Sequence, residues 1–143
     1  MPMSNKIFID SNLWIYAFVA ADNVSKRDAC IVMLESLYQE QIIIVSTQVV
    51  NEVHWNLMRK YHIPDEEVKR MIDTGLLEIS KLSVITQSTY DYAFSLRQKR
   101  GISFWDSLIV ASALENHCSV LYTEDLQHNQ LIENSLKIVN PFN

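Results

Sequence analysis

Short apolar runs alternate with amphipathic segments along this chain, and this alternation constrains the fold more than any other feature. The runs at 6–9, 42–45, 120–122 and 137–139 lack polar alternation, as expected of strands that are covered on both faces. A weaker strand is predicted over 82–85. Because helical patterns separate the runs, we predict an α/β domain with a mostly parallel central sheet of about five short strands between layers of helices.

Capping residues and helix breakers mark the expected helices. Ser25 and Asp28 have the spacing of a capping box, before a helix that continues to about Gln39. Further helices are predicted over 47–61, from Pro64 to Gly75, over 88–100, and from a Ser103 cap to Asn116. The 143 residues contain only two glycines, three prolines and no repeat, so a single domain is predicted over 1–143.

Four acidic residues stand at the ends of core elements, far apart in sequence: Asp10, Glu52, Asp106 and Asp125. Helical periodicity places Glu52 at the edge of an apolar stripe and Asp106 on the core side of its helix. Carboxylates in such positions are costly unless they are paired. Since no basic residue stands nearby in sequence, a hard cation with oxygen ligands is the expected partner. We therefore predict a divalent-metal site at the carboxyl ends of the strands, and with it phosphate chemistry.

Each acid also has an ordinary structural explanation. Asp106 stands in a capping-box spacing, and Asp10 could form a turn after its strand. Glu52 could be a helix-edge residue, and Asp125 could cap the short segment that follows it. Glu124 is the alternative ligand beside Asp125. The prediction of a metal site therefore depends on the whole set of four.

The charge of the chain limits how it could bind a polyanion. Twelve basic and seventeen acidic residues give a formal net charge of −5, which argues against binding through the charge of the whole surface. One basic run, with Arg97, Lys99 and Arg100, precedes the helix of Asp106. It is either a solvated helix end that complements the macrodipole or a phosphate-tracking patch beside the metal site.

No cysteine or histidine arrangement competes with the acids. Cys30 and Cys118 lack metal-ligand spacing and are expected to be reduced, buried thiols. The four histidines also lack ligand spacing and are interpreted as ordinary surface or core residues. No apolar run approaches the roughly 20 residues of a membrane span, and no signal-peptide core precedes the first strand. We therefore expect a cytoplasmic protein without membrane association.

The aromatic residues divide into two groups. Trp14, Tyr16 and Phe18 follow the first acid on a short helical stretch. Some of them must be core, yet together they are apolar enough to form a surface on which a partner docks. Trp55 and Trp105 are expected to lie in the core.

In chain order, the acids stand within four motifs: 9–12 (IDSN), 46–52 (STQVVNE), 104–113 (FWDSLIVASA) and 121–127 (LYTEDLQ). In these motifs the chain resembles the PIN-domain nucleases, and among them it is most similar to the bacterial VapC-type toxins. The resemblance extends to the closing residues 138–142 (IVNPF). One departure is the loop at 128–130 (HNQ), where relatives often carry glycine in the middle.

The resemblance implies a PIN-like three-layer domain that holds Mg²⁺ or Mn²⁺ and cleaves RNA phosphodiester bonds, with tRNA among the candidate substrates. The metal-site positions of the family fall on Asp10, Glu52, Asp106 and Asp125, and its supporting polar positions fall on Asn12, Ser46 and Thr123. The resemblance also implies a homodimer, and an antitoxin protein that inactivates the toxin by lying across the site.

Two alternatives remain open at this stage. An aspartyl phosphatase of the haloacid-dehalogenase type would use Asp10 as its nucleophile. That mechanism needs a second acid two residues later, where this chain has Asn12. A non-catalytic α/β binding module would keep the fold without the chemistry, although an intact set of four acids argues against it.

Overall fold

The computed structural model describes residues 4–19 and 23–143. The strands are β1 (Lys6–Ile9), β2 (Ile42–Ser46), β3 (Lys81–Ser83), β4 (Val120–Tyr122), β5 (Leu131–Ile132) and β6 (Leu136–Val139). The helices are α1 (Ser11–Phe18), α2 (Val24–Glu40), α3 (Thr47–Arg59), α4 (Asp65–Gly75), α5 (Gln87–Arg100) and α6 (Phe104–Glu115). Within the described ranges, no helix is both long and apolar enough to cross a membrane. The domain predicted over 1–143 includes residues 1–3 and 20–22, which lie outside this description.

The strands form a single sheet in the order β3-β2-β1-β4-β6-β5. Every pair is parallel except β5 with β6, which is antiparallel. The prediction of a mostly parallel α/β sheet is confirmed, and the structure adds a sixth, two-residue strand at one edge. The loop before β5 contains Asn129 at a φ of 67°, a left-handed conformation that asparagine tolerates better than most residues. The asparagine in the 128–130 loop is therefore compatible with its backbone.

The core lies on both faces of the central strand. Ile7, Phe8 and Ile9 of β1 are almost fully buried, as a strand between two helical layers requires. Trp14 on α1 is completely buried, and its indole Nε1 donates to the backbone oxygen of Ile9 at 3.2 Å. Because Trp14 belongs to the core, it is not part of a docking surface. Tyr16, also on α1, is only partly buried.

The capping prediction for α2 was wrong, and that for α6 is confirmed. Asn23 caps α2, because its side chain accepts from Lys26 N at 3.0 Å, and Ser25 lies inside the helix. Asparagine two residues earlier competes well for the cap position. Ser103 caps α6 as predicted, and α5 ends at Gly101, whose φ of 67° is a conformation that glycine adopts without strain.

Both cysteines are buried and unpaired, as the sequence predicts. Burial raises the pKa of the Cys30 thiol to about 11 and that of Cys118 to about 12. Such thiols stay protonated at neutral pH and behave as small apolar groups.

Candidate active site

Three neighbouring strands bring polar side chains to one edge of the sheet. Ser46 ends β2, Asp10 follows β1, and Thr123 follows β4, and these strands lie side by side in the sheet. All three residues are buried. The backbone pairing continues past the strands, since Asp10 N donates to Tyr122 O at 3.0 Å. The carboxyl ends of parallel strands form the edge where open α/β sheets bind ligands, so this edge is the candidate site.

Asp10 is held from two sides. Its Oδ1 accepts from the backbone nitrogen of Ser11 at 2.7 Å and lies 3.2 Å from the Ser11 hydroxyl. Its Oδ2 accepts from the Thr123 hydroxyl at 2.8 Å. Burial raises the pKa of the Asp10 carboxyl, these hydrogen bonds oppose the rise, and the charge of Glu52 adds to it. The carboxylate is therefore fixed in position but only partly compensated.

Ser11 connects two of the acids, a role that sequence reasoning missed. Its Oγ lies 3.2 Å from Asp10 Oδ1 and 3.4 Å from Glu52 Oε1, so the two carboxylates share one hydroxyl. Glu52 is 41 residues away in sequence. Only the position of Ser11 directly after Asp10 could have suggested this role.

Glu52 reaches the site from the second turn of α3 and is half-buried. Burial raises the pKa of its carboxyl, and the charges of Asp106 and Asp125 raise it further. Hydrogen bonds from Gln48 and Ser11 act in the opposite direction. The electrostatic coupling to acids on two other elements places Glu52 within the same group.

Asp106 lies in the first turn of α6, and its role there is not that of a capping-box residue. The Ser103 hydroxyl accepts from Asp106 N at 3.4 Å, but the reciprocal bond from the Ser103 backbone to the Asp106 carboxylate is absent. Among the described residues, no hydrogen bond to this carboxylate is found. It is therefore free to act on Glu52 and Asp125, whose pKa values it raises.

Asp125 also has a raised pKa. Although the residue as a whole is exposed, partial desolvation of its carboxyl, followed by the charges of Asp10, Asp106 and Glu124, raises its pKa to about 6. Its backbone nitrogen donates to the Thr123 hydroxyl at 3.1 Å, so Thr123 links the loop of Asp125 to Asp10. The supporting role predicted for Thr123 stays a prediction, and these two contacts show where its hydroxyl would act.

The neighbouring acid, Glu124, is already paired. Lys26 Nζ lies 3.0 Å from Glu124 Oε2, and the Tyr16 hydroxyl donates to Glu124 Oε1. None of the six ion pairs found in the described part of the chain involves Asp10, Glu52, Asp106 or Asp125. The geometry therefore favours Asp125 over Glu124 as a ligand.

The donor set fits a hard divalent cation. Four carboxylates without an ion pair in the described part of the chain supply the oxygen ligands and the negative charge that such an ion prefers. Over residues 4–19 and 23–143, no group of three or more His, Cys, Asp or Glu side chains is already close enough to form a metal cage.

The other polar positions named from the sequence differ in their surroundings. Ser46 is fully buried and caps α3, where its hydroxyl accepts from Val49 N at 3.4 Å. Asn12 is exposed on α1. Ser46 therefore has a structural role at the site edge, whereas Asn12 is open to a ligand.

The basic run is engaged with the protein itself. Arg97 donates to the Ser107 hydroxyl at 2.9 Å. Lys99 and Arg100 both face Glu133, at 3.3 and 3.7 Å. These contacts hold the run beside the start of α6, and its use for tracking phosphates stays a prediction.

The two tryptophans expected in the core are not there. Trp55 is 56% exposed and Trp105 is 63% exposed. Trp55 lies one turn after Glu52 on α3, and Trp105 immediately precedes Asp106 on α6. Both rings therefore stand at the border of the acid group.

Comparison with known proteins identifies the fold family. The PIN domain family matches residues 7–133, which is most of the chain. This chain therefore belongs to the PIN domain family. A search of curated proteins gave no match.

Solved structures with the same fold include several toxins. A toxin–antitoxin complex from Klebsiella pneumoniae has a TM-score of 0.68 and 24% identity, covering 94% of this chain and 97% of that one. VapBC2 from Rickettsia felis, solved with a fragment of promoter DNA, has a TM-score of 0.67 and 20% identity, covering 94% and 99%. VapC20 from Mycobacterium tuberculosis, a toxin that cleaves the sarcin–ricin loop, has a TM-score of 0.66 and 17% identity, covering 83% and 89%. The family match confirms the PIN-domain resemblance seen in the sequence, and these structures show that the chain shares its fold with VapC-type proteins.

Proposed function

We propose that this protein is an endoribonuclease that hydrolyses RNA phosphodiester bonds with Mg²⁺ or Mn²⁺ held by Asp10, Glu52, Asp106 and Asp125. The observation that carries the proposal is the group of four electrostatically coupled acids at the carboxyl edge of the sheet, none of them in an ion pair among the described residues. An uncompensated cluster of this kind costs free energy unless it binds cations.

The residues have complementary roles in this chemistry. A divalent cation bound at the acids would lower the pKa of a bound water and neutralise charge on the phosphoryl oxygens. Asp10 is the best-oriented ligand, because Thr123 and Ser11 fix both of its oxygens. Among the described residues, its Oδ2 has one hydrogen-bond donor and keeps a lone pair for the cation. The Asp106 carboxylate accepts no hydrogen bond in the same part of the chain and could adjust to the ion and the phosphate.

The sequence after Asp10 disfavours the phosphatase alternative. That mechanism needs a second acid two residues after the nucleophile. The residue two positions later is Asn12, which cannot serve as an acid.

Metal dependence is the direct test. The purified protein should cleave RNA in Mg²⁺ or Mn²⁺, should lose that activity in excess chelator, and should regain it when metal is added back. Gel analysis of end-labelled RNA, with single-stranded DNA of the same sequence as the control, measures the cleavage. Undiminished cleavage in excess chelator would exclude the proposed mechanism.

We further propose that the protein is the toxin of a toxin–antitoxin pair and acts as a homodimer. Two of the structurally similar proteins are described as complexes with an antitoxin or as VapBC. Tyr90 and Phe94, spaced i and i+4 on α5, are both exposed. Leu82 on β3 and Val84 just after it are exposed as well. Exposed large apolar side chains are what a protein interface would cover.

Expression in bacteria without an antitoxin should arrest growth. Asp10→Asn, expressed to the same level, should allow normal growth, because cleavage requires the metal site. Growth curves with immunoblots of both strains make the comparison. Equal growth of the two strains would remove the toxin assignment and leave the nuclease proposal to the biochemical assay.

A further inference from the structure

A cleft adjoins the four acids, and most of the residues that line it have no role in the proposed metal-dependent hydrolysis. The cleft has a volume of about 480 Å³, and its walls include Gln48, Asn51, Glu52, Trp55, Trp105 and Leu108. Glu52 belongs to both the acid group and the cleft, so the two are continuous. The volume lies within the roughly 300–1,000 Å³ that is usual for ligand sites.

One wall of the cleft is a single face of α3. Gln48, Asn51, Glu52 and Trp55 are spaced i, i+3, i+4 and i+7, which places them in one stripe along the helix. Along the helix, this stripe presents two side-chain amides, then the Glu52 carboxylate, and then the exposed indole of Trp55.

The facing wall is the first turn of α6. Trp105 is oriented by Phe104, whose ring meets it edge-on at 5.0 Å between centroids and an interplanar angle of 85°. The backbone oxygen of Trp105 accepts from Gln48 Nε2 at 3.3 Å and ties this wall to α3. Because the exposed ring of Trp105 is already oriented, little conformational entropy is lost when a ligand stacks on it.

The lining chemistry disfavours an anion and favours a flat neutral group. Among the lining residues, Glu52 is the only charged one, and no basic side chain lines the cleft to bind a phosphate. Exposed indole rings of Trp55 and Trp105 supply the largest apolar faces, and the amides of Gln48 and Asn51 supply the neighbouring polar groups.

We propose that the cleft holds the base of an unpaired nucleotide next to the scissile phosphate, stacked against Trp55 and Trp105. This inference rests on the proposed function, in which the phosphate lies at the acids. A nucleotide carries a flat base with N–H donors and an anionic phosphate. In this protein an aromatic cleft adjoins the candidate metal site, and Glu52 belongs to both. Aromatic platforms are the usual means of binding unpaired bases, and they work without positive charge. Stacking thus gives a chain with a net charge of −5 a way to hold RNA.

Binding of a single-stranded RNA hexamer tests the proposal separately from catalysis. The titrations are made in Ca²⁺, which screens the acids, and the RNA is shown to be intact on a gel afterwards. A second hexamer carries stable abasic residues, so its backbone charge is the same but its bases are absent. Trp55→Ala and Trp105→Ala should each weaken binding of the normal hexamer about 5- to 100-fold, the usual loss when one stacking residue is removed. Neither variant should weaken binding of the abasic hexamer further, because the lost contact is with a base.

Tyr38→Ala is the matched control, because Tyr38 on α2 is as exposed as Trp55 and does not line the cleft. Its binding should equal that of the wild type. If the tryptophan variants bind both hexamers like the wild type, the base site is excluded while the nuclease proposal stands. If the variants instead change the mass measured by light scattering and leave RNA binding intact, the cleft is an interface with a second copy and the inference is overturned. If binding depends on the bases but no metal-dependent cleavage is found, the base site in the cleft is supported and the proposed ribonuclease function is rejected.

Discussion

Replacement of Asp10 by Asn is expected to lower the rate of RNA cleavage in Mg²⁺ by more than about a hundredfold while the protein stays folded. Groups that only orient metal ligands are typically worth about 10- to 100-fold, so the loss of a ligand itself should exceed that range. Asp10 is also the most buried of the four acids, and both of its oxygens accept hydrogen bonds. Initial rates with labelled RNA, measured over a range of Mg²⁺ concentrations, give the effect on rate and on metal affinity.

The fold should survive this substitution because asparagine has nearly the same shape and can still accept from Ser11 N. Burial raises the pKa of Asp10, so removal of its charge also removes a desolvation cost. Asp91→Asn is the control, since Asp91 is exposed on α5 and remote in sequence from the four motifs. It should cleave like the wild type. An active Asp10→Asn protein would show that this carboxylate does not hold the metal.

The parts of the fold that local pattern determines were predictable from the sequence. The β-branched run of β2 and the cap and glycine stop around α5 and α6 depend on residues adjacent in sequence, and the structure agrees with them. Strand β5 was not predictable in this way. It has two residues, and it pairs only because the loop before it brings Leu131 and Ile132 against β6.

The grouping of the acids could be expected from the sequence, whereas the contacts that orient them could not, and the role of the acids as metal ligands stays a prediction. Acids after apolar runs imply a shared edge once the sheet is parallel, and the coupling among the four acids agrees with that. The bridging by Ser11 and the pairing of Glu124 with Lys26 join residues far apart in sequence. Trp55 and Trp105 were misplaced because large apolar residues are usually buried, a general tendency that a binding surface overrides.

The second large expected effect is on thermal stability. Neutralising two adjacent acids should change the melting temperature in opposite directions. In chelator at pH 7.5, Asp125→Asn should melt higher than the wild type and Glu124→Gln should melt lower. Asp125 is repelled by Asp10, Asp106 and Glu124 and has no ion pair in the described chain, so its neutral analogue is relieved of repulsion. Glu124 is paired with Lys26 and accepts from Tyr16, so its amide loses both charge-assisted contacts.

The size of the effect at Asp125 is limited by solvent. The residue is exposed, so water screens part of the repulsion, and we expect a rise of a few degrees at most. For a domain of this size, about 1 kcal/mol corresponds to roughly 2–4 °C in Tm. Added Mg²⁺ or Mn²⁺ should raise the wild-type Tm more, since binding at 100 times Kd contributes about 2.7 kcal/mol. Asp125→Asn should gain less, because it has lost a ligand.

The pH dependence of the Asp125 effect follows from the direction of its pKa shift. The folded-state pKa of Asp125, about 6, is raised above the ordinary 3.8, so the folded state favours the protonated carboxyl. The stability that this preference contributes is fully present below pH 3.8 and is lost as the pH rises through about 6. The Tm advantage of Asp125→Asn in chelator should therefore be largest above pH 7 and should disappear by about pH 4. Calorimetry of wild type and variant across this range makes the measurement.

Asp106→Asn extends the same experiment to the start of α6. Relief of repulsion from Glu52 and Asp125 should raise the Tm of this variant in chelator. Loss of a carboxylate in the first turn of α6 acts in the opposite direction, because its interaction with the helix dipole contributes about 0.3–1 kcal/mol to stability. The expected rise is consequently smaller than at Asp125, but the response to metal should be reduced in both variants. If Asp106 served only to cap the helix, its variant would melt lower in chelator and respond to metal like the wild type. Thermal shifts with and without metal, measured side by side for Asp106→Asn, Asp125→Asn and Glu124→Gln, therefore separate ligands from structural acids even if the natural RNA is unknown.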